Sequence, residues 1–333
     1  MENKYFFLYN KKNIKSWLMK NKLEELKKEI SKQVIGQAHM IDSLLIGLFT
    51  NGHILLEGVP GLAKTTTINA ISKSLNLKFK RVQFTPDLLP SDIIGAQIYD
   101  MKSGEFKIKK GPIFTNLLLA DEINRAPAKV QSALLEVMQE KQVTLGETTY
   151  QIDSPFLVLA TQNPVEQEGA YNLPEAQLDR FMFKIIVGYN TKEEEYEIAT
   201  KAAFSTFEEI HNILNKDDLL RIKNEVQEVH IDKELEKYIV DLIFATREPQ
   251  NYGIEELKDL IQFGASPRAT IDMFKAVKAR AYLRGKDYVS PIDITLCIKD
   301  VLRHRIILSY EALVQDITTD DIIQKVLEKV SIP

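Results

Sequence analysis

The stretch LLEGVPGLAKTTTINAI, residues 55–71, puts a glycine-containing loop between an apolar strand pattern and a helical pattern. This order is typical of a phosphate-binding loop, because the backbone N–H groups of the loop and the positive end of the helix dipole both face the phosphates. In such a loop Lys64 reaches the β- and γ-phosphates, and the hydroxyl of Thr65 binds Mg²⁺. A chance match to the short pattern is the alternative, and the agreement of strand, loop and helix favours the binding site.

One residue departs from the general G-x-x-x-x-G-K-[ST] pattern, because Ala63 precedes Lys64 where glycine is usual. A methyl group is acceptable there if the backbone keeps φ below zero. We therefore expect ordinary torsions at Ala63, with Gly58 and Gly61 supplying the unusual torsions and the close approach of the backbone to phosphate.

A second apolar run, NLLLADEINRAP, ends in two neighbouring carboxylates, Asp121 and Glu122. A buried parallel strand that ends there delivers both side chains to the edge of the sheet where the phosphate loop lies. Asp121 can then hold Mg²⁺ through water, and Glu122 can orient and polarise an attacking water. The alternative is an acidic pair that merely begins a loop, and its position behind a phosphate loop argues against that.

Short apolar runs alternate with helical patterns as far as about Val187: HILLE, FKRVQF, NLLLAD, FLVLAT and FKIIV. Runs this short between helices indicate buried parallel strands, with helices predicted at 65–75 and 127–140. After about Tyr189 the spacing is helical, and Ser266 and Gly285 suit the two ends of one such helix. The fold class is therefore α/β with a parallel sheet flanked by helices, followed by a smaller all-α domain. We place a lysine-rich helical segment at 1–32, the nucleotide-binding domain at 33–190 and the helical domain at 191–333.

Composition excludes some classes of function. The net charge of −4 gives no global basic field for nucleic acid or an acidic membrane, and a solvated helix is favoured over a nucleic-acid arm for the lysine-rich start. The single cysteine, Cys297, fits a reducing compartment and a buried core position, and the five histidines lack metal-ligand spacing. Neither a signal peptide nor a bilayer-spanning apolar run is visible. We expect a soluble, cytoplasmic protein without membrane insertion.

Several motifs together resemble the MoxR family of AAA+ ATPases: GVPGLAKT, LLLADEINRAP, LATQNP, LPEAQLDRF and GASPRA. The resemblance extends from about Val34 to Arg303, and in that family GVPGLAKT is a familiar spelling of the phosphate loop. It implies a P-loop AAA+ core followed by an all-α lid domain, with ATP and Mg²⁺ as cofactors.

The resemblance also implies roles for particular residues. Asn163 resembles the sensor that holds the attacking water together with Glu122, a task that suits an amide because it donates and accepts hydrogen bonds without titrating. Arg180 resembles the finger inserted into the neighbouring subunit's site, where a planar, permanently charged guanidinium fits the γ-phosphoryl group. Arg268 resembles the lid's sensor, which touches the γ-phosphate. Taken alone, each arginine would more often be a surface ion pair.

The predicted site therefore has three groups of residues. The catalytic residues are Glu122, Asn163, Arg180 and Arg268, and the metal-binding residues are Thr65 and Asp121. The nucleotide-binding residues, of which the first four correspond to the segment near the adenine, are Val34, Ile35, Gly36, Gln37, Gly58, Pro60, Gly61, Leu62, Ala63, Lys64, Thr65 and Thr66.

As for assembly, the resemblance implies a homo-oligomeric ring, expected to be a hexamer, that remodels or activates a partner protein carrying a von Willebrand factor A domain. Residues 96–112 and 142–155 read as β-hairpins, each alternating around a glycine turn, and are candidates for transmitting work to that partner. The alternative is that both hairpins are solvent-exposed insertions with no role in contacting the partner.

Three rival functions remain open. The nearest is the ATPase subunit of a magnesium chelatase-like complex, which shares the same motifs. A DNA-translocating motor is disfavoured because the C-terminal region is not basic. A non-hydrolysing scaffold is disfavoured because it has no reason to keep Glu122, Asn163 and both arginines.

Overall fold

The computed structural model describes residues 18–59, 61–163, 171–204 and 206–333, so Pro60 and residues 1–17 of the lysine-rich segment lie outside the described part. The strands are β1 (Ile54–Glu57), β2 (Phe79–Gln83), β3 (Gly95–Asp100), β4 (Glu105–Lys110), β5 (Leu117–Asp121), β6 (Gln142–Leu145), β7 (Thr148–Gln151), β8 (Leu157–Gln162), β9 (Phe183–Ile186), β10 (Ile261–Phe263) and β11 (Ile307–Leu308).

The helices begin with α1, whose described part covers 18–31. They continue with α2 (Ala38–Thr50), α3 (Lys64–Ser74), α4 (Pro90–Ile94), α5 (Ala128–Glu140), α6 (Glu175–Leu178), α7 (Lys192–Ala203), α8 (Lys216–Glu228), α9 (Lys233–Ala245), α10 (Pro267–Leu283), α11 (Pro291–Leu302), α12 (Tyr310–Val314) and α13 (Thr319–Lys329). Within the described ranges, no helix is both long and apolar enough to cross a membrane.

The central sheet has five parallel strands in the order β2-β5-β8-β1-β9, and these are the five apolar runs predicted as strands. Alternate residues of the inner strands enter different cores: Leu117 and Leu119 pack on one face, and Leu118 and Ala120 on the other. Because both faces are covered, the strands read as continuous apolar runs rather than as alternating ones. The carboxyl ends of β1, β5 and β8 therefore meet at one edge of the sheet.

Two antiparallel hairpins project from this core, as predicted. β3 pairs with β4 around Gly104, and β6 pairs with β7 around Gly146, both glycines having positive φ. The hairpins touch each other, since a Cβ on Gly146 would come within 2.5 Å of the side-chain oxygen of Gln97. The Lys110 ammonium of β4 also lies 4.7 Å from the ring centre of Tyr150 in β7.

The C-terminal region is helical, in agreement with the sequence analysis. Ser266 caps α10 by accepting the backbone N–H of Arg268 at 3.2 Å, and Gly285 follows the helix with φ +75°. The region also contains one short antiparallel pair, β10 with β11, that was not predicted. Strands of three and two residues are too short to show the alternating hydrophobic pattern of a strand. Cys297 is buried in this region, as expected, and burial raises the pKa of its thiol to about 12.

The helical region packs directly on the α/β core. Leu44 of α2 belongs to the same hydrophobic cluster as Met273 and Val277 of α10. At that contact the buried guanidinium of Arg280 donates to the carboxylate of Asp42 at 2.8 Å. The contact therefore combines apolar packing with an ion pair, and removing either partner would leave an uncompensated charge in a largely buried position.

Candidate nucleotide-binding site

A cavity of about 350 Å³ lies where the carboxyl ends of β1, β5 and β8 meet the start of α3. This is where ligands bind in open α/β sheets, because the loops after the strands converge there. The residues that line it are Gly58, Gly61, Leu62, Ala63, Lys64, Thr65, Thr66, Arg81, Gln83, Asp121, Glu122, Thr161, Gln162 and Asn163.

The two predicted loop glycines serve different needs. Gly61 has φ +89°, a torsion that side chains rarely adopt. Gly58 is needed for space, since a Cβ there would come within 2.8 Å of the carbonyl oxygen of Val187. The loop therefore requires one glycine for its torsion and the other for close backbone packing.

The expectation of an ordinary torsion at Ala63 is wrong. Ala63 lies immediately before α3 with φ +52° and ψ +18°, in the left-handed region. The loop must reverse direction there so that the N–H groups of α3 face the cavity, and this geometry is what makes glycine usual at the position. The alanine methyl is accommodated at a cost of about 1–2 kcal/mol.

Lys64 is the first residue of α3, and its ammonium donates to the carbonyl of Gly58 at 2.5 Å. Partial burial lowers the pKa of this ammonium, and the carboxylates of Asp121 and Glu122 oppose that shift by stabilising the charged form. The lysine is thus held across the loop at the N-terminus of α3, the end of the helix that attracts phosphate.

Asp121 ends β5 with both carboxylate oxygens engaged. Oδ1 accepts the hydroxyl of Thr161 at 2.7 Å, and Oδ2 accepts Nη2 and Nε of Arg81 at 2.6 and 3.1 Å. The carboxylate plane is therefore fixed from two neighbouring strands. Together with the hydroxyl of Thr65, which lines the same cavity, it offers the hard oxygen donors that Mg²⁺ prefers.

Glu122 follows in the left-handed region, with φ +55°, so its side chain turns away from the strand direction. Its Oε2 accepts Gln83 Nε2 at 2.7 Å and Arg125 Nη1 at 2.9 Å, and its N–H donates to the hydroxyl of Thr161 at 2.8 Å. Strained torsions held by several contacts are characteristic of functional positions. Glu122 is therefore held at the cavity as an oriented hydrogen-bond acceptor, which is what a water-activating residue needs.

Asn163 follows β8 and lines the cavity, with 8% of its surface exposed. Of the predicted site residues, the structure gathers in this one cavity Gly58, Gly61, Leu62, Ala63, Lys64, Thr65, Thr66, Asp121, Glu122 and Asn163. Pro60 lies outside the described residues.

The segment predicted to lie near the adenine, Val34 to Gln37, is not among the residues that line this cavity. It is tied to the loop that follows β9: Asn190 accepts Gln37 Nε2 at 2.6 Å and donates to the carbonyl of Ile35 at 3.2 Å. The assignment of these four residues to nucleotide stays a prediction.

Arg180 and Arg268 also lie away from the chain's own cavity. Arg180 donates to the carbonyl of Leu135 at 3.1 Å, and its Nε is buried without a hydrogen-bond partner in the described ranges. Arg268 contacts the carboxylate of Asp179, the residue next to Arg180, at 3.5 Å. Arg268 therefore contacts the residue next to Arg180 in the chain, and neither arginine lines the phosphate-loop cavity.

Four polar residues of the site were missed by sequence reasoning: Arg81, Gln83, Thr161 and Gln162. Arg81 and Gln83 alternate at the end of the run FKRVQF, so a strand reading already places both on one face at the binding edge. Thr161 precedes Gln162 in the run that supplied Asn163. The alternation of side chains along each strand predicts which residues share a face. Which of those faces lies beside the phosphate loop depends on the order of the strands in the sheet.

Comparison with known proteins identifies the same two parts of the chain. Residues 53–183 match the model of the ATPase family associated with various cellular activities (AAA), and residues 256–326 match the AAA lid domain. A crystal structure of a Cytophaga hutchinsonii protein, described as a candidate ATPase, has a TM-score of 0.93 and 54% identity, covering 98% of this chain and 99% of its own.

Among curated proteins, Chaperone MoxR1 of Mycobacterium tuberculosis is 48% identical over 92% of this chain and 81% of its own length. Protein MoxR of Methylorubrum extorquens is 31% identical over 92% of this chain and 94% of its own. The matches cover both the α/β core and the helical region.

Proposed function

The chain belongs to the MoxR family of AAA+ ATPases, and from this premise we propose that it hydrolyses ATP with Mg²⁺ at the subunit interfaces of a homo-hexameric ring. The hydrolysis drives chaperone-like remodelling or activation of a partner protein with a von Willebrand factor A domain.

One observation carries the interface part of the proposal. The cavity holds Lys64, Asp121 and Glu122, whereas neither Arg180, which donates to Leu135, nor Arg268, which contacts Asp179, lines it. A γ-phosphoryl group in the cavity therefore lacks these arginines unless a second subunit supplies them. Ring symmetry brings the face of one copy against the cavity of the next, because such a contact is heterologous and closes by rotation.

Within the cavity, the residues of the chain divide the chemistry. Lys64 and the N–H groups of α3 bind the phosphates, while Glu122 accepts a hydrogen bond from the attacking water and Asn163 orients that water. Thr65 and Asp121 would hold Mg²⁺, which neutralises phosphate charge when bound. The contacts of Gln83 and Arg125 to Glu122 fix its orientation and so reduce the reorganisation that the reaction requires.

Movement reaches the rest of the ring through the lid. Arg268 stands at the start of α10, and α10 packs on α2 and α11 in the shared core. An arginine on this helix that touches a neighbour's γ-phosphate loses a charged contact when the phosphate leaves. The lid of one subunit would then move relative to the core of the next.

The paired hairpins are the candidates for contact with the partner. Beyond the contact between the hairpins, the β3–β4 tip exposes Tyr99 and Phe106, whose rings meet edge to face at 5.2 Å, and Met101, which is 90% exposed. Exposed aromatic and methionine side chains are enriched in protein-binding surfaces.

The experiment that tests the proposal is specific ATPase activity with Mg²⁺ across a wide range of protein concentration, with sizing at each point. Activity per subunit that climbs and saturates as the ring assembles supports completion of the site by a neighbour. Constant activity from a species sized as a monomer would overturn it.

A further inference from the structure

Arg81 is a cation of the nucleotide cavity that the family motifs do not include. It lies on the edge strand β2 and lines the cavity, with half of its side chain exposed. Three of its N–H groups are used: Nε and Nη2 donate to Asp121 Oδ2 at 3.1 and 2.6 Å, and Nη2 also donates to Gln83 Oε1 at 3.1 Å.

The remaining guanidinium nitrogen of Arg81, Nη1, has unused N–H donors. A guanidinium carries five N–H groups in a planar fork. Nη1 holds the two that are left, and it has no hydrogen-bond partner in the part of the chain that the structure describes. Because Asp121 fixes one edge of the fork beside the phosphate loop, the other edge is available to a ligand in the cavity.

The charges of the cavity favour an anionic ligand for these donors. Asp121 and Glu122 are balanced inside the cavity by Lys64 and Arg81, and burial already lowers the pKa of the Lys64 ammonium. A nucleoside triphosphate adds several negative charges beside the two carboxylates. A second fixed cation, held at one end by Asp121, reduces the repulsion that those charges would meet.

We propose that Arg81 is a nucleotide-binding residue supplied by the chain itself, which donates from its free edge to phosphate oxygens of ATP and makes nucleotide binding less dependent on a divalent cation. The inference rests on the proposed function only in requiring that the cavity binds ATP.

The proposal predicts two opposite effects of removing the charge. Without the guanidinium, metal-free ATP loses a charge-assisted contact and meets an uncompensated Asp121, so it binds more weakly. Mg²⁺ instead gains, because a positive charge next to its carboxylate is gone and the local field is more negative. A residue that only braced Asp121 would weaken both.

The test is binding of N-methylanthraniloyl-ATP to the full chain, by fluorescence, in EDTA and in a Mg²⁺ titration. In Arg81→Gln we expect the Kd for the metal-free nucleotide to rise about tenfold or more, the usual effect of losing a charge-assisted hydrogen bond. The Mg²⁺ concentration at half-saturation should fall at least about threefold. Arg81→Lys keeps the charge and should restore most of both values.

Lys80→Gln is the matched control, because Lys80 precedes Arg81 on the same strand, is exposed and does not line the cavity. It should leave both values within about twofold, since an exposed charge outside the cavity is screened by salt. An unchanged metal-free Kd in a folded Arg81→Gln protein would overturn the proposal, as would a parallel loss of nucleotide and Mg²⁺ binding. If the wild-type chain fails to bind the nucleotide both in EDTA and with Mg²⁺, the proposed function fails instead.

Discussion

The carboxylate of Asp179 accepts the Nε of Arg305 at 2.8 Å, which joins the residue next to Arg180 to a fully buried arginine of the helical region. Arg305 also donates to Asp272 at 2.6 Å and to the carbonyl of Phe181 at 2.8 Å. One buried guanidinium therefore fixes the segment that carries the predicted finger against the lid.

Replacing Arg305 with Leu should lower the free energy of unfolding by about 3–5 kcal/mol, because two carboxylates lose their buried partner. Urea unfolding at neutral pH measures this. Arg221→Leu is the control, since it removes a more exposed pair with Glu225 four residues along α8 and should cost less than about 1 kcal/mol. Equal costs for the two variants would contradict the role given to Arg305.

Glu122→Gln should still bind ATP but hydrolyse it at least about 100-fold more slowly, because the amide keeps the size of the side chain and loses its capacity to polarise water. Single-turnover hydrolysis and nucleotide binding on the same preparation separate the two effects. Glu136→Gln makes the same change on an exposed position of α5 and should be neutral. Turnover retained in Glu122→Gln would remove Glu122 from this role.

Ala63→Gly should raise the free energy of unfolding by up to about 1 kcal/mol, because glycine adopts the left-handed torsion without strain. The gain is partly offset because glycine increases the conformational entropy of the unfolded chain. Ala199→Gly, at an exposed position within the ordinary helix α7, should lower it by about 0.5–1 kcal/mol. Thermal and urea unfolding of both variants measure the difference. A loss at position 63 equal to that at position 199 would mean that no strain is relieved there.

Mixing Lys64→Ala with Arg180→Ala should restore activity that neither protein has alone. Each variant keeps one half of the interface site, so in an equal mixture about a quarter of the interfaces combine an intact cavity with an intact arginine. ATPase activity is measured after the two proteins are allowed to exchange subunits. No recovery in a mixture shown by sizing to be co-assembled would place Arg180 in the site of its own chain.

Acidification should destabilise the protein through His53. Its Nδ1 accepts the N–H of Val158 at 3.0 Å and its Nε2 faces the carbonyl of Met138 at 3.1 Å, which selects the neutral ring with a proton on Nε2. Burial lowers its pKa from 6.5 to about 4. Between these pH values the imidazole is protonated in the unfolded chain and neutral in the folded chain. The free energy of unfolding therefore falls as the pH drops, by about 3 kcal/mol at most.

Urea unfolding between pH 7 and pH 4.5 tests the effect of His53. In His53→Gln the slope should become shallower, and part of it should remain because burial also lowers the pKa of His304. A slope identical to that of the wild type would exclude His53 as a contributor.

The sequence predicted the parts of this molecule that depend on local pattern. The five core strands, both hairpins and the cap of α10 were predicted, because period, turn glycines and capping residues act over a few positions. The cavity residues of the loop and of the DE pair followed from the same logic, since each lies directly after a predicted strand. The resemblance to the MoxR family was confirmed by the relatives.

Tertiary structure decided what no local pattern contains. The torsion of Ala63 is set by the turn that aims α3 at the cavity, and it overrides the preference of alanine for negative φ. Arg81 enters the site only because β2 pairs with β5 and so sets its side chain beside Asp121. Arg268 lies outside the cavity because the start of α10 packs against Asp179, the residue next to Arg180. Sequence thus determined which elements form and which residue types they carry, while the order and packing of those elements decided which side chains meet, since contacts between distant residues depend on the whole fold.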